Sequence, residues 1–176
     1  MQALNFIVQT LLDLYIAAFL LRFLLQWTRA DFRNPLSQFI MQITNPLARP
    51  ARRVIPGIKG IDLSTLLIAY VLKTAAITVG ALILGRMITD VPGLLLHSLI
   101  ELALMFLQLM LFLIIGQVLL SWFAPHHPIA GVLHSLTSPI LRPIRRIIPP
   151  IANIDLSPLF ALLAIQAFLI LVSGWL

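Results

Sequence analysis

The stretch Thr44–Ser64, TNPLARPARRVIPGIKGIDLS, returns at Thr137–Ser157 as TSPILRPIRRIIPPIANIDLS, at an offset of 93 and with 13 of 21 positions identical. The shared residues include three prolines, three arginines and one aspartate. Both copies lie between long apolar stretches that carry few charges. A fixed polar element has therefore been duplicated together with its surroundings. This predicts two tandem units, 1–88 and 89–176, each consisting of an apolar span, the polar element and a second span.

Composition says what those spans are for. The chain has 176 residues, 60% hydrophobic and 10% charged, with a mean hydropathy of +1.03. A soluble domain carries far more charge, so the fold class expected is all-α, a polytopic membrane protein. With no cysteine, disulfides and thiolate metal sites are excluded. No basic residue precedes Asp13 and no cleavage site is evident, so a removable signal peptide is not expected and Met1 is expected to be retained. A net charge of +6 in a soluble chain would point to nucleic acid. In a membrane chain its distribution among the connections matters more.

A bilayer-crossing helix needs about 20 mostly apolar residues. Four segments qualify, at about 4–26, 63–85, 94–121 and 156–175. Arg29, Arg33, Arg49, Arg52, Arg53 and Lys59 lie between the first and second, and Arg142, Arg145 and Arg146 between the third and fourth. The connection at 86–93 offers only Arg86. The positive-inside rule then places both long connections in the cytoplasm and both termini outside. Each unit holds an even number of spans, so the two share one orientation, related by a pseudo-two-fold axis along the membrane normal.

Between the spans of each unit, Leu36, Phe39, Ile40, Ile43 and Leu47, and likewise Ile129, Val132, Leu133, Leu136 and Ile140, follow one helical spacing. Pro35 and Pro128 suit a first helical position, with Asn34 a fair cap and His127 a poorer one. Pro46 and Pro139 are expected to break or bend the helix. The pattern fits an amphipathic helix lying in the interface or packed under the spans. Beyond it, Arg49, Arg52 and Arg53, and Arg142, Arg145 and Arg146, share a face if the backbone stays helical. They are expected to anchor anionic phospholipid headgroups, each contributing about 1 kcal/mol. The alternative is a docking surface for an acidic partner or nucleic acid. No aromatic residues interleave with the arginines and no DNA-reading motif is present, so specific nucleic-acid binding is not expected. Asp62 and Ser64, and Asp155 and Ser157, are expected to cap the following spans, each aspartate facing the arginines of its own unit.

Ionisable residues inside a membrane are costly and are usually paired or functional. Asp13 and Lys73 each lie nine residues, about 13.5 Å, from the basic side, and are expected to pair. Asp13 falls on Gln108 at an offset of 95 and Lys73 on Gln166 at an offset of 93, so a neutral Gln108–Gln166 hydrogen bond is expected in the second unit. Arg22, aligned with Gln117, is expected to snorkel to the interface. Glu101 is expected to be answered by Arg86 or His97, and Gly80, Gly85 and Gly116 to ease close packing. Such an ion pair is chiefly helix-associating glue, with a proton or cation path as the alternative. The distribution of His97, His126, His127 and His134 disfavours an intramembrane haem. No metal-binding, phosphate-loop or nucleophile motif is present, so neither a cofactor nor enzyme activity is expected.

The paired motifs NPLARPARRVIP and SPILRPIRRIIP, each followed by IDLS, resemble the YggT (YlmG-type) family of bacterial integral membrane proteins, over nearly the whole chain. The resemblance implies a small non-enzymatic inner-membrane protein, linked to osmotic tolerance and ion homeostasis and to cell division or nucleoid organisation. Plastid relatives are linked to nucleoid distribution and haem-protein maturation. A scaffold or assembly factor with membrane-protein partners, or a homo-oligomer, is the first expectation. An ion channel or transporter-like protein in osmotic stress is the second.

Overall fold

A computed structural model describes residues 1–55, 62–148 and 155–174. Lys59 and Trp175, the last residue of the fourth expected span, lie outside them. The described residues form six helices and no strand: α1 (Gln2–Trp27), α2 (Pro35–Val54), α3 (Leu63–Ile83), α4 (Val91–Phe123), α5 (Pro128–Ile147) and α6 (Ser157–Ser173). Three of them, α1, α3 and α4, are long and apolar enough to cross a membrane, whereas α6 is apolar but has only 17 residues.

Helix ends follow from local backbone chemistry. At the end of α1, Arg29 adopts φ 52°, its N–H donates to Gln26 O at 3.1 Å, and the Ala30 N–H donates to Leu25 O at 2.9 Å. Gly85 ends α3 in the same way at φ 70°, with its N–H on Leu82 O and that of Arg86 on Ala81 O. Both are Schellman turns. Gly85 is thus a helix terminator rather than the packing glycine expected. Gly80 does serve packing, because a Cβ there would collide with the Gln9 amide, which donates to Ala76 O at 2.8 Å. At Gly116 a Cβ would make only ordinary contact with Leu133, so close packing does not require that glycine.

α1 packs along α3, α4 along α6, and α3 against α4. α2 lies against α1 and α3, and α5 against α4, α6 and α1. The core concentrates where these helices converge. In α1 the buried residues all lie between Ile16 and Leu25, while Leu4, Phe6, Ile7, Leu11 and Leu14 of its first half are exposed apolar surface. Such surface suits lipid rather than water.

Neither α2 nor α5 breaks at its prolines. Pro46 and Pro50 lie inside one continuous α2, and Pro139 and Pro143 inside one continuous α5. In α2 both prolines are exposed, four residues apart on one face, so the carbonyls they leave without a helical donor, on Gln42 and Pro46, also face outward. The buried line on α2 is Ser37, Ile40, Thr44 and Ala48, while Phe39 and Leu47 of the expected stripe are exposed. On α5 it is Val132, Leu136, Thr137 and Leu141. A threonine in each copy therefore sits at the seam, because a partner for its hydroxyl waits there.

Asn34 accepts from the Leu36 N–H at 2.9 Å, capping α2, and donates Nδ2–H to Pro128 O at 2.8 Å. His127 Nδ1 accepts from the Ile129 N–H at 3.3 Å, capping α5. The first turns of the two amphipathic helices are thus tied to each other.

Candidate functional site

Each amphipathic helix ends in arginines, and in each one arginine returns to the start of the next helix. Arg52 donates from Nε at 2.9 Å and from Nη2 at 2.6 Å to Asp62 Oδ2. The hydroxyls of Ser64 and Thr65 also donate to Asp62, which caps α3 through the Thr65 N–H. Burial alone would raise the Asp62 pKa; hydrogen bonds from Ser64, Thr65 and Arg52 outweigh it and hold the carboxyl at about 2.

The second copy repeats the pair with fewer bonds. Arg145 Nε donates to Asp155 Oδ2 at 2.8 Å, and the Ser157 N–H to Asp155 Oδ1 at 2.9 Å. Burial pushes the Asp155 carboxyl up, and hydrogen bonds from Ser157 and Arg145 more than offset it, holding it below the usual range. The N-cap of α6 is Leu156, which makes no side-chain cap. Asp155 stands one residue before it, so the aspartate–serine cap expected here becomes a turn ahead of the helix. Arg49, Arg53, Arg142 and Arg146 are exposed and form no ion pair among the described residues.

Behind these pairs lies a second link between span and amphipathic helix. Arg22 does not snorkel: it is 1% exposed, and Nη1 donates to Thr44 Oγ1 at 2.7 Å and to Asn45 Oδ1 at 3.1 Å. α2 covers it, so the guanidinium is answered by side chains instead of water. In the second half Gln117 occupies the aligned place, with its Oε1 accepting from the Thr137 hydroxyl and its Nε2 3.3 Å from His134 Nδ1. Sequence reasoning passed over both threonines. The available signal was that each opens the duplicated stretch as a polar residue beside the apolar stripe.

Between the spans, Lys73 Nζ lies 3.0 Å from Asp13 Oδ1 and 3.9 Å from Glu101 Oε2. Lys73 itself is buried, while the Asp13 and Glu101 side chains are about 41% and 35% exposed. The partner of Glu101 is therefore this lysine, and not Arg86 or His97. α3 packs beside α1 and α4 at once, which brings the ammonium between two carboxylates. All three line a cleft of about 490 Å³ with Gln108 and Ser173. Gln108 and Gln166 share a neighbouring cleft of about 510 Å³ but form no hydrogen bond to each other. Both side chains are exposed and line that cleft. No group of three or more metal-ligating side chains occurs among the described residues. The arrangement leaves four arginines exposed at the ends of α2 and α5, and within the helix bundle a polar cluster in which Lys73 bridges two carboxylates.

The CCB3/YggT family description matches residues 1–83 and 96–176. An uncharacterised protein of Pseudomonas aeruginosa is 42% identical over 92% of this chain and 83% of its own length. The uncharacterised YggT protein of Escherichia coli K12 is 37% identical over 93% of this chain and 85% of its own. An uncharacterised Vibrio alginolyticus protein is 42% identical over 94% and 91% respectively. No solved structure matches the chain. With long apolar helices of membrane-crossing length and a family match along almost all its residues, the chain belongs to the CCB3/YggT family.

Proposed function

We propose that this protein is a non-enzymatic scaffold or assembly factor of the bacterial inner membrane that crosses it four times as two tandem units, with α6 as the shortest span. At 17 residues α6 rises about 25 Å, near the lower limit for a crossing. α2 and α5 lie at the cytoplasmic surface and both termini are periplasmic. The observation that carries the reading is the division of labour among the arginines. In each copy one is spent on the aspartate, and two remain exposed without an ion-pair partner among the described residues. Four such groups offer roughly 4 kcal/mol toward anionic lipid headgroups or an acidic membrane-protein partner. Osmotic tolerance and cell division or nucleoid organisation are the processes such a scaffold would serve.

The Lys73 cluster favours a second reading, an ion channel or transporter-like protein, because two carboxylates and an ammonium share a polar cleft among apolar helices. Purified protein in liposomes separates the two. The scaffold reading expects no ion flux, and in-cell crosslinking to partners that is lost in the Arg49→Gln, Arg53→Gln, Arg142→Gln, Arg146→Gln combination. Flux abolished by Asp13→Asn or Lys73→Gln would overturn it in favour of the channel. A reporter at Leu176 that reads cytoplasmic would overturn the orientation.

A further inference from the structure

The two Arg–Asp pairs are equivalent by sequence, yet their surroundings differ in a way that opens space in one copy. In the first copy the carboxylate is enclosed, although Arg52 beside it is 40% exposed. Asp62 is 5% exposed, two hydroxyls close over it, and the long Arg22 side chain fills the volume beneath α2. In the second copy Pro158 stands where Thr65 does and Gln117 where Arg22 does, so a hydroxyl donor is lost and the shorter glutamine replaces the long arginine. A cleft of about 640 Å³ opens between α4, α5 and α6.

Its chemistry is graded. Arg145, its partner Asp155, Gln117 and Ser121 supply its charged and polar groups, and Leu119, Leu159 and Leu162 part of its apolar wall. Leu162 lies five residues into α6, about 7.5 Å below the helix start. Arg145 uses only Nε on Asp155, whereas Arg52 commits Nε and Nη2, so the outer face of the Arg145 fork has no bond among the described residues. A guanidinium edge suits a phosphate oxygen. A pocket of this size, mostly apolar with few polar groups, suits an amphiphile.

We propose that this cleft binds one anionic phospholipid, with its phosphate on Arg145 and an acyl chain along α4 and α6. The inference rests on the reading that the arginine-bearing helix ends face the anionic leaflet, and it adds a discrete site in the second copy.

The test uses full-length protein carrying Trp27→Phe and Trp175→Phe, which leaves Trp122, a residue lining the cleft, as its one tryptophan. It is reconstituted in phosphatidylcholine vesicles containing brominated-chain phosphatidylglycerol or brominated-chain phosphatidylcholine. Brominated phosphatidylglycerol should quench Trp122 at a mole fraction about fivefold lower, as expected for one favourable arginine contact. Arg145→Gln should remove that preference. Ser121→Phe, which fills the cleft and keeps the arginine, should remove it too, and Arg52→Gln should leave it intact. Equal quenching by the two lipids, or a preference that survives both Arg145→Gln and Ser121→Phe, overturns the site. Loss on Arg52→Gln to the same degree also overturns it, by assigning the preference to diffuse charge and leaving the scaffold reading standing. Displacement of the preference by soluble glycerol phosphate would overturn it as a lipid site. The scaffold reading fails separately, if partner crosslinking survives the four-arginine variant.

Discussion

Asp62 accepts from three side chains and sits almost out of solvent, so its protonation state is tied to the fold. Its carboxyl titrates at about 2 in the folded chain against an ordinary 3.8. A depressed carboxylate pKa contributes stability that is present above the unfolded value and lost as pH falls through the folded one. The window here is about pH 4 down to 2, and the contribution on the order of 2 kcal/mol. Unfolding of purified protein in detergent should show stability falling across that window, and Asp62→Asn should flatten this part of the profile. Asp155→Asn should do so less, because its side chain is about a third exposed and solvent screens it. An unchanged acid slope in Asp62→Asn would defeat the assignment. The duplicated IDLS made an aspartate at each helix start legible from sequence. Which arginine it would hold was not legible, since 49, 52 and 53 share a face and only the packing of α2 against α3 selects Arg52 for Asp62.

At the scale of elements, α2 and α5 are seated by matching polar bolts, Arg22 to Thr44 and Gln117 to Thr137. The bolts are not equally demanding. Arg22 is a charge with 1% exposure, and removing one of its acceptors leaves it with Asn45 alone. Thr44→Val should therefore cost about 1.5–3 kcal/mol, and Thr137→Val, which breaks a bond between uncharged groups, about 1 kcal/mol. Arg22→Gln, which copies the second half, removes the buried charge but keeps a donor, and should fall within about 1 kcal/mol of wild type. Denaturant unfolding in mixed micelles measures all three, and a Thr44→Val cost no larger than that of Thr137→Val would contradict the unequal bolts. The amphipathic period was readable because α2 and α5 mix polar and apolar residues. Its phase was off in α2 because Ser37 and Thr44 are polar and Ala48 is small, yet all three are buried beside Ile40. Snorkelling was the natural expectation for an arginine near a helix end, and only the presence of α2 over that end reverses it.

For the whole molecule, the apolar helices supply length but little rotation. α1, α3, α4 and α6 are apolar nearly all round, so helix rise could match Asp13 with Lys73 in depth. It could not tell which way Gln108 and Gln166 turn. Glu101 was misassigned for a related reason. It belongs to the second half, and its proximity to Lys73 comes from α3 packing on α4, a contact between halves that the duplication does not encode. Lys73 is thus a single cation holding α1, α3 and α4 together. Removing it alone leaves two carboxylates 41% and 35% exposed in a cleft among apolar helices, with no other ion-pair partner among the described residues. Removing Asp13 with it leaves one. Lys73→Gln should therefore destabilise more than the Asp13→Asn, Lys73→Gln double variant, with a coupling of about 1 kcal/mol, within the range measured for polar contacts between membrane helices. Adding Glu101→Gln to the double variant should recover further stability, since no carboxylate of the cluster then remains. A cycle in which the double variant is no more stable than Lys73→Gln would show that the lysine acts through packing on α1 and α4, and that its charge is not what joins the two halves.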